Sequence, residues 1–578
     1  MDMDVMPRCQ LGRGRLQRTR VFAARSLAAA FSASLAVLAE VPAQVELSIQ
    51  GQPYAGGLVT LSVAAPSQVG VPVIVLVGLD ALPILQPIQT GKGPYFIGNL
   101  ITLLPIGVVP AGELMELPVQ LPPYDPLLAT TPAAVQAYVG TSLSNPAVVS
   151  FEAPYLLPAN IRNIDHPVPS QGALFGDQVA VGDLNGDGSP DIIVGAWFEK
   201  VGNILKAGRV YVFWGPDHVA FTQLTSPVPS HYTYFGLGLD VADFDGDGID
   251  DLIVYQGSGD DPPGPGTHGK LHFYPGGVFS PLPAFSVQGL GTALDGSIFG
   301  RVSGVGDLDA SGSLDVVIGV PSATVAGKGS AGRLEIYDAP GFGFRTAIEN
   351  PEPKVNDFFG TGVAMADVNE DGNVDIVEAS GRAAVGSVSQ AGRAHVFDGP
   401  SLALLHVIDN PDPDPNDRFG EGLAAHDLNG DGLIDIIASD VRDRFYIAWG
   451  GQYAGPISSW SKPPSPNPSQ SSETAFGYFF AKSDVNADGA PDLVISDVFE
   501  GDLVGCATGG GTIYVMMSPY FSTAHRIVDP LPQCLAAFGW YLITSQLDAD
   551  EPLEIVTGNN AVDVGGVQNV GRASVIDP

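Results

Sequence analysis

Between residues 175 and 578 one arrangement of apolar and polar positions recurs seven times. Each copy opens on a Phe-Gly pair: Phe175-Gly176, Phe235-Gly236, Phe299-Gly300, Phe359-Gly360, Phe419-Gly420, Phe476-Gly477 and Phe538-Gly539, spaced 57 to 64 residues apart. Seven positions after each glycine an acidic stretch of nine residues begins. An apolar run follows it at once: IIVGA, LIVYQ, VVIGV, IVEAS, IIASD, LVISD and IVTGN. These runs are too short and too β-branched for helices, so they predict buried strands. A second strand signal comes next, as in GRVYVFWG (208–215), GRLEIYDAP (332–340) and GRASVIDP (571–578). A further strand precedes the next Phe-Gly, as in TAIENP (346–351) and HVIDNP (406–411). About four strands per repeat, repeated radially, predict a β-propeller.

The seventh repeat runs out after its third strand signal, while NIRNIDHP (160–167) stands spare before the first Phe-Gly. Ile164-Asp165-His166-Pro167 matches Ile408-Asp409-Asn410-Pro411. The N-terminal strand is therefore expected to complete the last blade and close the ring, hiding an edge that would otherwise pair with other chains. Residues 44–153 lack the repeat. QVELSIQG, GGLVTLSVAA and VPVIVLVG read as short strands divided by Gly and Pro, which predicts a small β-sandwich. The expectation is thus an all-β chain: a β-sandwich-like domain at 44–153, then a seven-bladed propeller of four-stranded blades at 158–578, joined near EAPYLLP (152–158).

Composition narrows the partners. Formal net charge is −37, a surface that repels phosphate backbones and argues against nucleic acid. Residues 1–43 differ in kind: six arginines precede the apolar SLAAAFSASLAVLA (26–39), and VPA stands before Gln44. That is the pattern of a cleaved signal peptide, the apolar run being too short to span a bilayer. A secreted, cell-surface or periplasmic protein with no membrane span in its mature chain is expected, acting as a monomer. Cys9 leaves with the leader, and Cys506 and Cys534 are an even pair, expected to form a disulfide, with two buried free thiols as the alternative.

The acidic stretches carry the chemistry. The spacing D-x-[DN]-x-[DS]-G-x-x-D sets oxygens at positions 1, 3, 5 and 9 of one tight turn, with the carbonyl of position 7 pointing inward. Several carboxylates in a flexible oxygen cage suit Ca²⁺ better than Mg²⁺. The first loop offers Asp183, Asn185, Asp187, the Ser189 carbonyl and Asp191; the second Asp243, Asp245, Asp247, the Ile249 carbonyl and Asp251. The third offers Asp307, Asp309, Ser311, the Ser313 carbonyl and Asp315; the fourth Asp367, Asn369, Asp371, the Asn373 carbonyl and Asp375. The fifth offers Asp427, Asn429, Asp431, the Leu433 carbonyl and Asp435; the sixth Asp484, Asn486, Asp488, the Ala490 carbonyl and Asp492. About six calcium sites are expected. Ser311 costs the third a carboxylate, and Gln546 and Glu551 make the seventh loop (546–554) degenerate. DVNEDGNVDIVE (367–378) also satisfies the EF-hand pattern, with Glu378 at position 12, but a strand signal follows every loop, so that match is read as coincidence.

Phe-Gly, then D-x-N-x-D-G-x-x-D, then strands ending VGA or IGVP, then GRVYVF, together resemble the FG-GAP repeat of integrin alpha subunits and of many bacterial exported proteins. The resemblance covers about 160–578 and implies a seven-bladed propeller with calcium on one face and ligand contacts from loops on the other. Those loops are 197–207, 255–269, 322–331, 381–391 and 498–510, carrying Trp197, Lys200, Lys206, Lys328 and Arg382. The expected function is a non-catalytic binding or adhesion module for an extracellular protein or glycan. Two alternatives stand beside it: an extracellular polysaccharide lyase or hydrolase, and a structural cell-envelope protein. HExxH and GxSxG motifs are absent from the sequence, and its nine histidines form no spaced constellation.

Overall fold

The computed structural model describes the strands between Glu46 and Val149, and residues 161–577 with interruptions at 258–268, 291–298, 464–474, 486–489, 501–508 and a few shorter stretches. The expected leader, with Cys9, and the 152–158 junction lie outside the described residues. The chain divides into two compact units, the first drawn mainly from the N-terminal strands and the second containing 150–578.

In the first unit Glu46–Gln50, Leu58–Ala64 and Leu114–Gln120 form one sheet. Ala147–Val149, Ala133–Val139, Pro72–Leu79 and Asn99–Val108 form a second, antiparallel throughout, with Ser142–Leu143 paired to its side. The side chains that would have to interlock for a sandwich lie outside the described residues.

The second unit is a seven-bladed propeller of four-stranded antiparallel blades. In the first blade the strands are Gln178–Gly182, Asp191–Ala196, Arg209–Phe213 and Phe221–Thr225, in that order from the axis outward. The first strand of every blade packs on the first strands of both neighbours, and that of the seventh blade returns to that of the first. Second strands such as Asp191–Ala196 and Asp315–Val320 are buried along their whole length, because a blade lies against each of their faces. This is why they read as unbroken apolar runs. Fourth strands such as Phe221–Thr225 face solvent and carry polar residues. Apolar side chains collect between blades: Ile193, Val210 and Phe235 between the first two, Val317, Leu334 and Phe359 between the third and fourth.

The Phe-Gly pair clips each blade to the one before it. The phenylalanines are at most 1% exposed, each worth roughly 2 kcal/mol in apolar burial. The amide of Phe235 donates to Ala207 O at 3.0 Å, that of Phe359 to Ala331 O at 3.1 Å, and that of Phe419 to Ala391 O at 3.0 Å. At Gly176 φ is +90°, and a Cβ would stand 2.3 Å from the Arg572 carbonyl oxygen of the neighbouring blade, so only glycine fits.

The ring closes as the sequence implies. Ile161–Asp165 pairs antiparallel with Arg572–Ile576, Ile161 opposite Ile576 and Asp165 opposite Arg572, and supplies the fourth strand of the seventh blade. The Phe175 amide donates to Val570 O at 2.9 Å, repeating the clip across the seam. Among the described residues no helix is long and apolar enough to cross a membrane.

Candidate functional site

Each acidic loop joins the first strand of a blade to its second, so all seven share one face of the propeller. Inside the loop the backbone folds around its own carboxylates. In the first, Asp183 accepts from the amides of Asp187 at 3.1 Å and Gly188 at 2.7 Å. Asn185 Oδ1 accepts from Asp187 N at 2.8 Å, and Asp187 Oδ1 from Ser189 N at 2.8 Å. The pattern returns at Asp243, Asp245 and Asp247, at Asp307, Asp309 and Ser311, at Asp367, Asn369 and Asp371, and, with Gly430 as one donor, at Asp427, Asn429 and Asp431. These turns bring the side-chain oxygens of positions 1, 3 and 5 together. Ligand atoms of Asp243, Asp245 and Asp247 all lie within 4.8 Å of one another, as do those of Asp307, Asp309 and Asp315. Like charges that close repel strongly unless a cation stands among them. The donors are hard oxygens in a flexible loop, a set that fits Ca²⁺.

Position 9 has a second role that the spacing did not reveal. Asp191 is fully buried; its Oδ2 accepts from Leu184 N at 3.0 Å and its Oδ1 from Gly215 N at 2.8 Å. It staples the acidic loop to the turn between the third and fourth strands. Asp251, Asp375, Asp435 and Asp492 make the same two bonds. In the degenerate seventh loop Glu554 keeps the bond to position 2, Leu547 N, at 2.7 Å. The bond to position 2 survives where the ligand pattern fails, so that half of the staple belongs to the fold before it belongs to a metal. Burial pushes the Asp191, Asp251 and Asp315 carboxyls up to about 6 against those bonds.

The third loop holds a cation already. Arg345 Nη2 lies 2.7 Å from Asp309 Oδ2 and 2.7 Å from Asp315 Oδ1, and its Nε lies 2.5 Å from Asp338 Oδ1. A guanidinium thus bridges positions 3 and 9 of the loop in which Ser311 has replaced a carboxylate. Arg345 lies on a fourth strand, far from the motif in sequence, and no spacing rule points to it. In the sixth loop Asp484, Ala490 and Asp492 are described, while Asn486 and Asp488 lie outside the described residues. Cys534 is disulfide-bonded, and Cys506 lies outside the described residues.

Glu378 faces away from its loop. It sits in the second strand of the fourth blade, where it accepts from Gly360 N at 2.6 Å and pairs with His395 Nδ1 at 2.7 Å. On the opposite face Lys200 and Lys328 are exposed, and Trp197 is buried. Lys206 Nζ stands 4.2 Å over the Phe198 ring and the Arg382 guanidinium 4.5 Å over Phe358.

Residues 175–213 match the family model of the FG-GAP repeat. The first repeat of the propeller is thus similar to the FG-GAP repeat. Integrin alpha-5 of Xenopus laevis is 30% identical over 208 residues, 34% of this chain and 19% of that protein. Integrin alpha-4 of Xenopus laevis is 32% identical over 155 residues, 26% of this chain and 14% of that protein. The phosphatidylinositol-glycan-specific phospholipase D of Rattus norvegicus is 29% identical over 185 residues, 28% of this chain and 20% of that protein. The matched segments therefore span a fifth or less of those relatives.

Proposed function

We propose that this chain is an exported, non-catalytic binding module for an extracellular protein or glycan, held in shape by Ca²⁺ in its acidic loops. The observation that carries the reading is the recurrence of one carboxylate-lined turn on the same face of five blades. Loops one, two, four, five and six supply the calcium ligands, positions 1, 3 and 5 with the carbonyl of position 7, and position 9 serves as staple and outer ligand. The bound ion relieves the repulsion between the clustered carboxylates, and because the cage exists only in the folded chain it stabilises the propeller by mass action. The opposite face is left to the partner. The likeness to integrin alpha chains supports a binding role, and the leader-like residues 1–43 support export.

The likeness to a phospholipase D favours a second reading, in which an FG-GAP propeller accompanies catalysis. One experiment separates the two. The chain from Gln44 onward is sedimented with insoluble cellulose, chitin and mannan in calcium, and the supernatant is assayed for new reducing ends. Retention without release supports the binding module. Release of sugar ends makes the chain an enzyme and overturns it.

A further inference from the structure

The geometry points to a saccharide-binding site at the mouth of the central channel, on the face opposite the acidic loops, built from the residues that directly follow the Phe-Gly pairs. It rests on the binding-module reading above and gives that module a place and a ligand class.

Asp177, Arg301, Glu421, Tyr478 and Trp540 each follow a Phe-Gly in a different blade, at the end of the first strand remote from the acidic loop. They meet across the axis. Arg301 of the third blade is the main charge acting on Asp177 of the first, and it also acts on Glu421 of the fifth. Tyr478 of the sixth blade feels Glu421, Arg301 and Asp177 together, and its ring stacks on Trp540 of the seventh at 5.7 Å. The Arg301 guanidinium lies 5.6 Å from the Trp197 ring.

The site is incompletely satisfied. Both carboxylate oxygens of Glu421 are buried without a hydrogen bond; the nearest guanidinium nitrogens, of Arg418 and Arg382, stand off at 3.6 and 3.9 Å. Asp177 uses Oδ1 to accept from Asn560 Nδ2 at 2.7 Å, while its Oδ2 makes no well-formed hydrogen bond, with the Trp197 and Gln178 side chains close to the carboxylate. The indole N–H of Trp540 is buried without a hydrogen bond. Buried polar groups left unpaired are costly, and several in one place mark a site that a ligand completes.

The chemistry of the orphans selects the ligand. Two carboxylates face three guanidiniums, so a cationic ligand would add to a surplus of positive charge. An anionic ligand would confront Asp177 and Glu421. A neutral polyhydroxylated ring suits both sets: its hydroxyls donate to Glu421 and Asp177 and accept from Trp540 and the arginines, while its C–H face lies on Tyr478. Arg382, Arg418 and Tyr478 are partly exposed, and the two arginines lie within 4 Å of Glu421, so the cluster reaches the surface.

The test is a titration of the chain from Gln44 onward, in calcium, with soluble cello-, chito-, manno- and galacto-oligosaccharides, followed by tryptophan fluorescence and calorimetry. Glu421→Gln and Tyr478→Ala are run beside it, with calcium-dependent melting as the check on folding. The expected result is binding of at least one oligosaccharide, weakened about tenfold or more in both variants while their melting stays dependent on calcium. Binding of none of the four overturns the proposal, as does binding that both variants leave unchanged. Preferential binding of an arginine-rich peptide at these residues overturns it as well. If the variants are still retained on insoluble polysaccharide, the mouth is the wrong site and the binding module stands. If the wild type is not retained either, its glycan reading falls too.

Discussion

Arg572 Nε donates to Asp165 Oδ1 at 2.6 Å, joining residues 407 positions apart. The pair marks the seam at which the first strand of the propeller completes its last blade. Asp165 is half exposed, so the ion pair itself contributes little, about 0–1 kcal/mol. Closure is carried by the backbone ladder from Ile161 to Asp165 and by Ile164, which is packed with Val575 and Phe175 between the seventh and first blades.

Deleting residues 158–170 leaves the Arg572–Ile576 strand as a bare edge. The expected outcome is concentration-dependent self-association and a lower melting temperature, seen by light scattering and thermal scanning. A monomer that melts like the full chain contradicts closure by that strand. Asp165→Asn leaves both measurements nearly unchanged.

Arg345→Ala strips the third loop of its built-in cation and leaves Asp309, Asp315 and Asp338 facing one another. The variant loses roughly 1–3 kcal/mol in EDTA, read from denaturant unfolding, and calcium restores part of it. Equal losses with and without calcium contradict the view that the guanidinium stands in for an ion.

Positions 5 and 9 of one loop separate in the same way. Asp187→Ala removes a ligand and lowers the stoichiometry of bound calcium by one, with little effect on stability in EDTA. Asp191→Ala orphans the amides of Leu184 and Gly215, and so costs roughly 2–4 kcal/mol even in EDTA. Asp548→Ala, in the degenerate seventh loop, changes neither reading.

Much of this was legible in the residues. The seven-fold recurrence gave the number of blades, and the likeness of Ile164-Asp165-His166-Pro167 to Ile408-Asp409-Asn410-Pro411 gave the seam, because strands and turns leave a local trace. The acidic spacing marked the loops for the same reason. Arg345 left no such trace: it reaches Asp309 from a strand paired elsewhere in the blade, a contact made only by the tertiary fold. The staple at position 9 was hidden behind a better-known use of the same residue. The axial cluster was hidden too, since Asp177, Arg301, Glu421, Tyr478 and Trp540 are unlike in type and adjacent only across the ring.

His272 and His525 give a pH dependence with a definite sign. Burial lowers both to about 4 from an ordinary 6.5, so the folded chain keeps them neutral. Below 6.5 the unfolded chain binds more protons. Their contribution is therefore complete above about 6.5 and is lost as pH falls towards 4, up to about 3 kcal/mol for each. His272 is bonded to Ser286 Oγ and Gln256 Oε1, and His272→Gln removes its titration while keeping an amide in the site. Its stability falls less steeply over that window; an unaltered slope contradicts the assignment.

The central claim is that the acidic loops are calcium sites on which the fold depends. Its most direct test is calcium titration of the chain from Gln44 onward after chelation, counting bound ions by calorimetry while melting is followed in parallel. The account predicts about five ions per chain, for loops one, two, four, five and six, and a melting temperature that falls by many degrees in EDTA and returns with calcium. A chain that binds no calcium, or that melts identically in EDTA, would contradict it.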